Sequence, residues 1–244
     1  MKGEGRALLR LMAIQGAWSY ERMIGIGMGF SAAPLLGDLE QAEPARHREA
    51  TARSAEFFNC HPYLAGLALG ASVRAEQEGV AGAQIQRLRT ALCSPLGALG
   101  DQVFWAGLVP ILMSLSLAAI ALGGGGGVLV AVVLGYNLVR VLVTRWALRT
   151  GLASGVQVGR AVSSSWLPRA AAKVAVPAGL TAGLAIPLTA AWLLAARPDG
   201  AGLLAGASAG VAWLLLRFGG GRMTSLRVGL MFAVVILLWT RFAP

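Results

Sequence analysis

From Val103 onward the chain is a series of apolar runs broken by short polar stretches, and this constrains its fold more than any other feature. The runs cover residues 103–122, 128–143, 174–196, 201–216 and 228–239. A helix needs about 20 mostly apolar residues to cross some 30 Å of hydrocarbon. Composition agrees: 56% of the residues are hydrophobic and 13% charged, against roughly 25% charged in a soluble domain. There is too little polar surface to cover a soluble globule of 244 residues. The pattern predicts an all-α integral membrane protein, a polytopic helical bundle with five crossings. No cleavable leader is expected, because Glu4 interrupts the basic start and no apolar core with a small-residue cleavage site follows.

Charge divides the chain in two. Residues 1–100 hold ten Lys/Arg and nine Asp/Glu, whereas residues 102–244 hold eleven Lys/Arg and one acid, Asp199. The excess lies between apolar runs, where it sets membrane orientation. It does not form a patch for nucleic acid, which is not an expected partner. Cationic loops at 144–173 and 217–227 belong in the cytoplasm, and the turns at Gly123–Gly127 and Arg197–Gly200 outside. Pro177 and Pro187 are expected to kink the 174–196 span. Residues 1–100 read as an amphipathic, cytoplasm-facing half, and residues 101–244 as the transmembrane half. Gly37 to Ala55 reads as a solvated charged helical arm. The apolar stretch Pro62 to Val73 is too short to span and reads as re-entrant or interfacial. Two cysteines, Cys60 and Cys93, do not suggest a disulfide framework and read as inert thiols.

Four polar clusters border these apolar segments, and ionisable groups there are functional candidates. Gln15-Gly16-Ala17-Trp18-Ser19-Tyr20-Glu21-Arg22-Met23 reads equally as an interfacial helix. In Glu56-Phe57-Phe58-Asn59-Cys60-His61-Pro62, Asn59 suits a sugar hydroxyl or a helix cap, and His61 has no acid partner identifiable from sequence. Ser94 to Trp105 reads as a small-residue loop delivering Asp101 and Gln102 to the mouth of the first span. There Asp101 either accepts hydrogen bonds from a ligand or caps the helix. In Tyr136-Asn137-Leu138-Val139-Arg140, the arginine needs a carboxylate, a carbonyl or an interfacial position. The chain carries no P-loop, GxSxG, HExxH or Cys/His metal set. No cofactor, metal or catalytic residue is expected in it.

In order, these clusters resemble the phrases of one family, the IID subunits of mannose/fructose/sorbose-type phosphotransferase permeases. Q-x-x-W-N-[FY]-E-R-M is matched by Gln15, Trp18, Tyr20, Glu21, Arg22 and Met23. E-F-F-N-T-[HQ]-P is matched by Glu56, Phe57, Phe58, Asn59, His61 and Pro62. A Gly and a Glu-containing phrase follow at Gly70 and Glu76. P-L-A-G-[IV]-G-D-x-[ILF]-F-W-[GA] is matched by Pro95, Leu96, Gly100, Asp101, Phe104 and Trp105. N-[LI]-x-R is matched by Asn137, Leu138 and Arg140. The chain departs at Ser19, usually Asn, at Gln77, commonly Glu, and at Val109, commonly Arg. It is also short after Gly151.

The resemblance implies a multi-pass subunit in the bacterial plasma membrane that joins a IIC subunit in an oligomeric complex. That complex binds a hexose and delivers it to a IIB protein whose phosphohistidine, charged through IIA, phosphorylates it. It implies no phosphorylation site in this chain. Asn59, Glu76, Asp101 and Gln102 are the expected substrate-side groups. Gln15, Trp18, Glu21, Arg22, His61, Pro62, Phe104, Trp105, Asn137 and Arg140 are expected to hold the scaffold. The alternative is an assembly or regulatory subunit that keeps the fold and transports nothing.

Overall fold

The computed structural model describes residues 3–195 and the isolated helical positions Gly206, Gly210, Trp213, Leu214 and Arg217. Apart from those positions, the expected turn at 197–200, the basic loop at 217–227 and the apolar runs at 201–216 and 228–239 lie outside the described residues. All regular elements among the described residues are helical, so the all-α class holds. They are α1 (Glu4–Met12), α2 (Gly25–Ala32), α3 (Gly37–Ala42), α4 (Pro44–Ser54), α5 (Ala65–Gln77), α6 (Gly82–Gly100), α7 (Val109–Ala121), α8 (Gly127–Ser154), α9 (Val158–Ser164), α10 (Leu167–Lys173) and α11 (Ala175–Ala195). Met1–Ile186 packs as one unit, distinct from the segment beginning at Pro187.

The core is α5. The short apolar run read from sequence is a helix buried on all sides from Ala65 to Val73, and it lies against α8. Small residues let the two backbones approach. A Cβ at Gly66 would come within 2.7 Å of the Leu148 nitrogen, one at Gly70 within 2.5 Å of the Leu152 nitrogen, and one at Gly151 within 2.3 Å of the Leu67 carbonyl oxygen. Close backbone packing of this kind is how helices associate where lipid removes the hydrophobic drive between them.

Helix α1 runs antiparallel to α8, fastened at both ends. Arg140 donates to the Met12 carbonyl at the C-terminus of α1, and Arg149 Nε donates to Glu4 Oε1 at its N-terminus, 2.5 Å away. This hydrogen bond and the guanidinium charge hold the Glu4 carboxyl below its usual range. A carbonyl thus pairs with one guanidinium nitrogen of Arg140 inside its apolar run, and the Tyr63 ring lies 5.6 Å from the guanidinium.

Two readings of the second half need correction. The stretch from Ser94 to Trp105 is not a loop: helix runs unbroken from Gly82 to Ala121, with Pro95 inside α6 and a π-helical segment, Asp101–Leu108, between α6 and α7. Asp101 is therefore not a helix N-cap. The wide winding ends just before Pro110, whose ring and missing N–H oppose ordinary α-helical bonding to the preceding turn. Likewise the stretch from Thr144 to Lys173 is largely helical. α8 continues to Ser154, and α9 and α10 follow, because the arginines that end the apolar run are good helix formers.

Two helical stretches, Gly82–Ala121 and Gly127–Leu193, are long and apolar enough to cross a membrane. In the second, only 11% of the most apolar window is buried within the protein. Leu129, Val133, Leu134, Leu138 and Leu142 all lie exposed along one helix. Such a surface requires lipid or a partner to cover it.

Candidate functional site

The first two motif phrases are joined through their backbones. Ile24 N–H donates to the Phe58 carbonyl at 3.0 Å, and Phe58 N–H donates to that of Arg22 at 3.3 Å. Met23, between them, adopts φ +52°. Arg22 also reaches the Ala55 carbonyl at 3.5 Å. Arg89 is buried beneath this junction and donates to the carbonyls of Ser54 and Glu56, both at 3.3 Å. Gln15, Trp18, Tyr20 and Glu21 stay exposed, with the Trp18 and Tyr20 rings edge to face at 4.8 Å.

This junction sets the segment Phe57–Pro62 against the second half of α6 and the start of the π-helical segment. A concavity of about 560 Å³ opens between them, within the range of small-molecule sites. Asn59 and Asp101 line it together. Phe57 and Trp105, each half-exposed, supply aromatic surface. Cys93, Ser94, Gly97 and Ala98 form the α6 wall. Among the described residues Asp101 has no ion-pair partner, so its carboxylate is available to a ligand. Gln102 is exposed on the same helix but is not part of this lining.

His61 closes the floor. Its ring stacks on Phe104 at 4.8 Å and meets Tyr63 edge-on at 4.7 Å. Gly100 makes this possible, since a Cβ there would lie 2.1 Å from that of His61. Burial lowers the imidazole pKa to about 4, so the ring is neutral at pH 7. Nδ1 accepts from the Tyr63 N–H at 3.3 Å, which puts the ring proton on Nε2. That Nε2–H is buried without a protein acceptor, a state that costs free energy unless something else accepts from it. Burial also pushes the Cys60 thiol above its usual pKa, and the thiol donates to the His61 carbonyl at 3.3 Å. This fits an inert thiol. Sequence reasoning singled out Asn59 and Asp101. It missed Cys93, because nothing in the sequence reports which face of α6 turns toward Asn59.

Glu76 lies elsewhere. Its buried carboxylate accepts from Arg53 Nε at 2.8 Å and lies 3.8 Å from Arg46. These arginines come from α4, so the charged arm is pinned to the core helix and not simply solvated. Glu43, Glu49, Arg46, Arg53 and Glu76 line a separate concavity of about 510 Å³. Asn137 Nδ2 donates to the Val133 carbonyl of its own helix.

Comparison with known proteins decides the family. A model of the phosphotransferase system mannose/fructose/sorbose family IID component matches residues 4–182. The chain belongs to that family. This IID chain is 30% identical over 167 residues to the mannose-specific EIID component of Escherichia coli (strain K12), covering 66% of the chain and 58% of the relative. It is 29% identical over 157 residues to the fructose permease IID component of Bacillus subtilis (strain 168), covering 62% and 56%. The match thus spans less than two thirds of these relatives. Its fold is similar to that of a chain in the cryo-EM structure of the mannose transporter ManYZ with microcin E492, at a TM-score of 0.59 and 22% identity over 99% of this chain and 96% of that one. It is also similar to a structure described only as a membrane protein, at 0.72 and 23% over 98% and 96%. The chain is a membrane protein of the sugar phosphotransferase system.

Proposed function

We propose that this chain is a multi-pass IID subunit of the bacterial plasma membrane. With a IIC partner it binds and translocates a hexose, which a IIB phosphohistidine, charged through IIA, phosphorylates on arrival. One observation supports the reading: Asn59 and Asp101, from separate motif phrases, line one concavity beside Phe57 and Trp105. A carboxylate and a carboxamide offer the mixed acceptors and donors that sugar hydroxyls need. Two aromatic side chains beside them suit the C–H faces of the ring. His61 is buried and hydrogen-bonded through Nδ1. The exposed apolar faces of α7 and α8 supply surface for IIC as well as for lipid.

Uptake of labelled mannose tests this in cells where the chain is the only IID, expressed with IIC, IIA and IIB. Uptake that depends on the chain and falls in Asp101→Asn and Asn59→Ala is expected. A second reading, a non-transporting regulatory or assembly subunit, draws on the departures from the family phrases at Ser19, Gln77 and Val109. Gln77 donates to the Leu35 carbonyl at 3.2 Å, and Val109 lines an apolar pocket, where the family commonly has Glu and Arg. Co-purification with IIC without any uptake would favour that reading.

A further inference from the structure

A third concavity, of about 680 Å³, lies between α6 and the α9–α10 region. Polar side chains line only the wall opposite α6. On α6, Leu88, Leu92, Pro95, Leu96 and Leu99 recur at three- and four-residue intervals and form an apolar wall. Opposite them Gln157, Arg160 and Ser163 stand among Val156, Val162 and Pro168. Arg160 is exposed and makes no ion pair among the described residues. No acid near it in sequence can serve. Residues 102–195 contain Arg140, Arg145, Arg149, Arg160, Arg169 and Lys173 and neither Asp nor Glu. Arg140 and Arg149 are engaged by α1, which leaves Arg160 in a field of like charge beside a leucine wall.

We infer that this groove binds an anionic phospholipid, its phosphate at Arg160 with Gln157, and an acyl chain along the α6 leucines. Charge complementarity argues for this occupant. The chain is embedded in a membrane, its cations gather on the α8–α10 stretch, and phosphate is the anion that a bilayer presents to such a cluster. A free anion would have no use for five apolar residues, and an uncharged lipid would leave Arg160 unneutralised.

Thermal unfolding of the full-length chain in a zwitterionic detergent, followed by tryptophan fluorescence, tests the inference. Phosphatidylglycerol, phosphatidylcholine and inorganic phosphate are titrated in turn. Phosphatidylglycerol should raise the midpoint progressively, as a ligand of the native state does, phosphatidylcholine less, and inorganic phosphate not at all. Arg160→Gln should weaken the response to phosphatidylglycerol by roughly tenfold or more and erase its advantage over phosphatidylcholine. Ala91→Trp, at an exposed position in the groove, should abolish the response to both lipids at an unchanged lipid-free midpoint. If Ala91→Trp lowers that midpoint, Ser163→Trp blocks the groove from the opposite wall. Equal responses to the two lipids in the unmodified chain would overturn the inference. So would an effect reproduced by phosphate alone, or a phosphatidylglycerol preference that survives Arg160→Gln and the blocking variant. A midpoint that rises with protein concentration and loses that dependence in Ala91→Trp would assign the groove to a second copy instead.

Discussion

Asp101 and Glu76 are both single carboxylates in motif phrases, and both read from sequence as sugar-side groups, yet their surroundings are opposite. Glu76 is buried against two arginines from a different helix. Asp101 stands at the start of a π-helical segment, facing a concavity whose lining holds no Lys or Arg among the described residues. A carboxylate whose charge is already balanced inside the protein holds elements together. One left unbalanced at the mouth of a concavity has its hydrogen-bonding capacity free for a ligand. The two should therefore fail in different ways when neutralised.

Glu76 should show the largest effect on folding. Glu76→Ala removes the carboxylate with which Arg53 and Arg46 pair, which should cost about 3–4 kcal/mol, toward the lower end for a buried pair because both arginines keep some solvent contact. A large drop in the thermal midpoint of the detergent-solubilised chain is the expected result. An unchanged midpoint together with lost uptake would show that Glu76 belongs to the sugar path after all.

His61 separates the two regions by pH. Its folded pKa is about 4, below the ordinary imidazole value of roughly 6.5, so the unfolded chain binds the extra proton between those values. Its contribution is fully present above about pH 6.5 and is lost as the pH falls toward 4. Between pH 7.5 and 5 the loss should be about 2 kcal/mol. His61→Gln, which keeps a polar group and removes the titration, should flatten that part of the stability profile. The same slope in the variant would place the titration elsewhere.

Asp101→Asn should barely move the unfolding midpoint, within about 0.5 kcal/mol, while weakening hexose binding roughly tenfold or more by removing a charged acceptor. Equilibrium binding to the purified IIC–IID complex reads this directly. Destabilisation comparable to that of Glu76→Ala would erase the distinction between the two carboxylates.

Much of this arrangement is legible in the sequence, and the parts that are not share a cause. The apolar runs at 103–122, 128–143 and 174–196 fall on the two helical stretches long and apolar enough to cross a membrane, because lipid demands such runs whatever the neighbours do. The motif phrases pick out Asn59 and Asp101. Ser94 to Gly100 misleads, because Pro95, Gly97 and Gly100 suggest a loop by local propensity. The helix continues through them, and Gly100 is needed where the His61 ring packs against α6. The end of α8 was hidden similarly. The apolar pattern stops near Val143, but Arg149 continues the helix and finds its partner at Glu4, far away in sequence. The pairing of Glu76 with α4 arginines is also long-range, and no spacing rule reports it. Local chemistry is written in the order of residues, whereas partners are chosen by the fold.

The Glu4–Arg149 pair calibrates the comparison from its weak end. It has the same chemistry as Glu76–Arg53 and a shorter distance, 2.5 Å against 2.8 Å. But Arg149 is 56% exposed and Glu4 25%, whereas Glu76 is 3% exposed. Water and salt screen the exposed pair, so Glu4→Gln should cost only about 0.2–1 kcal/mol, and less at high ionic strength. Because the Glu4 pKa is lowered in the fold, its contribution is present above the ordinary carboxylate pKa and fades as the pH falls through the folded value. Unfolding midpoints of Glu4→Gln and Glu76→Ala, compared at low and high salt, isolate burial as the variable. If Glu4→Gln proved as damaging as Glu76→Ala, distance rather than burial would govern these pairs, and Glu76 would lose its claim to be the stronger anchor.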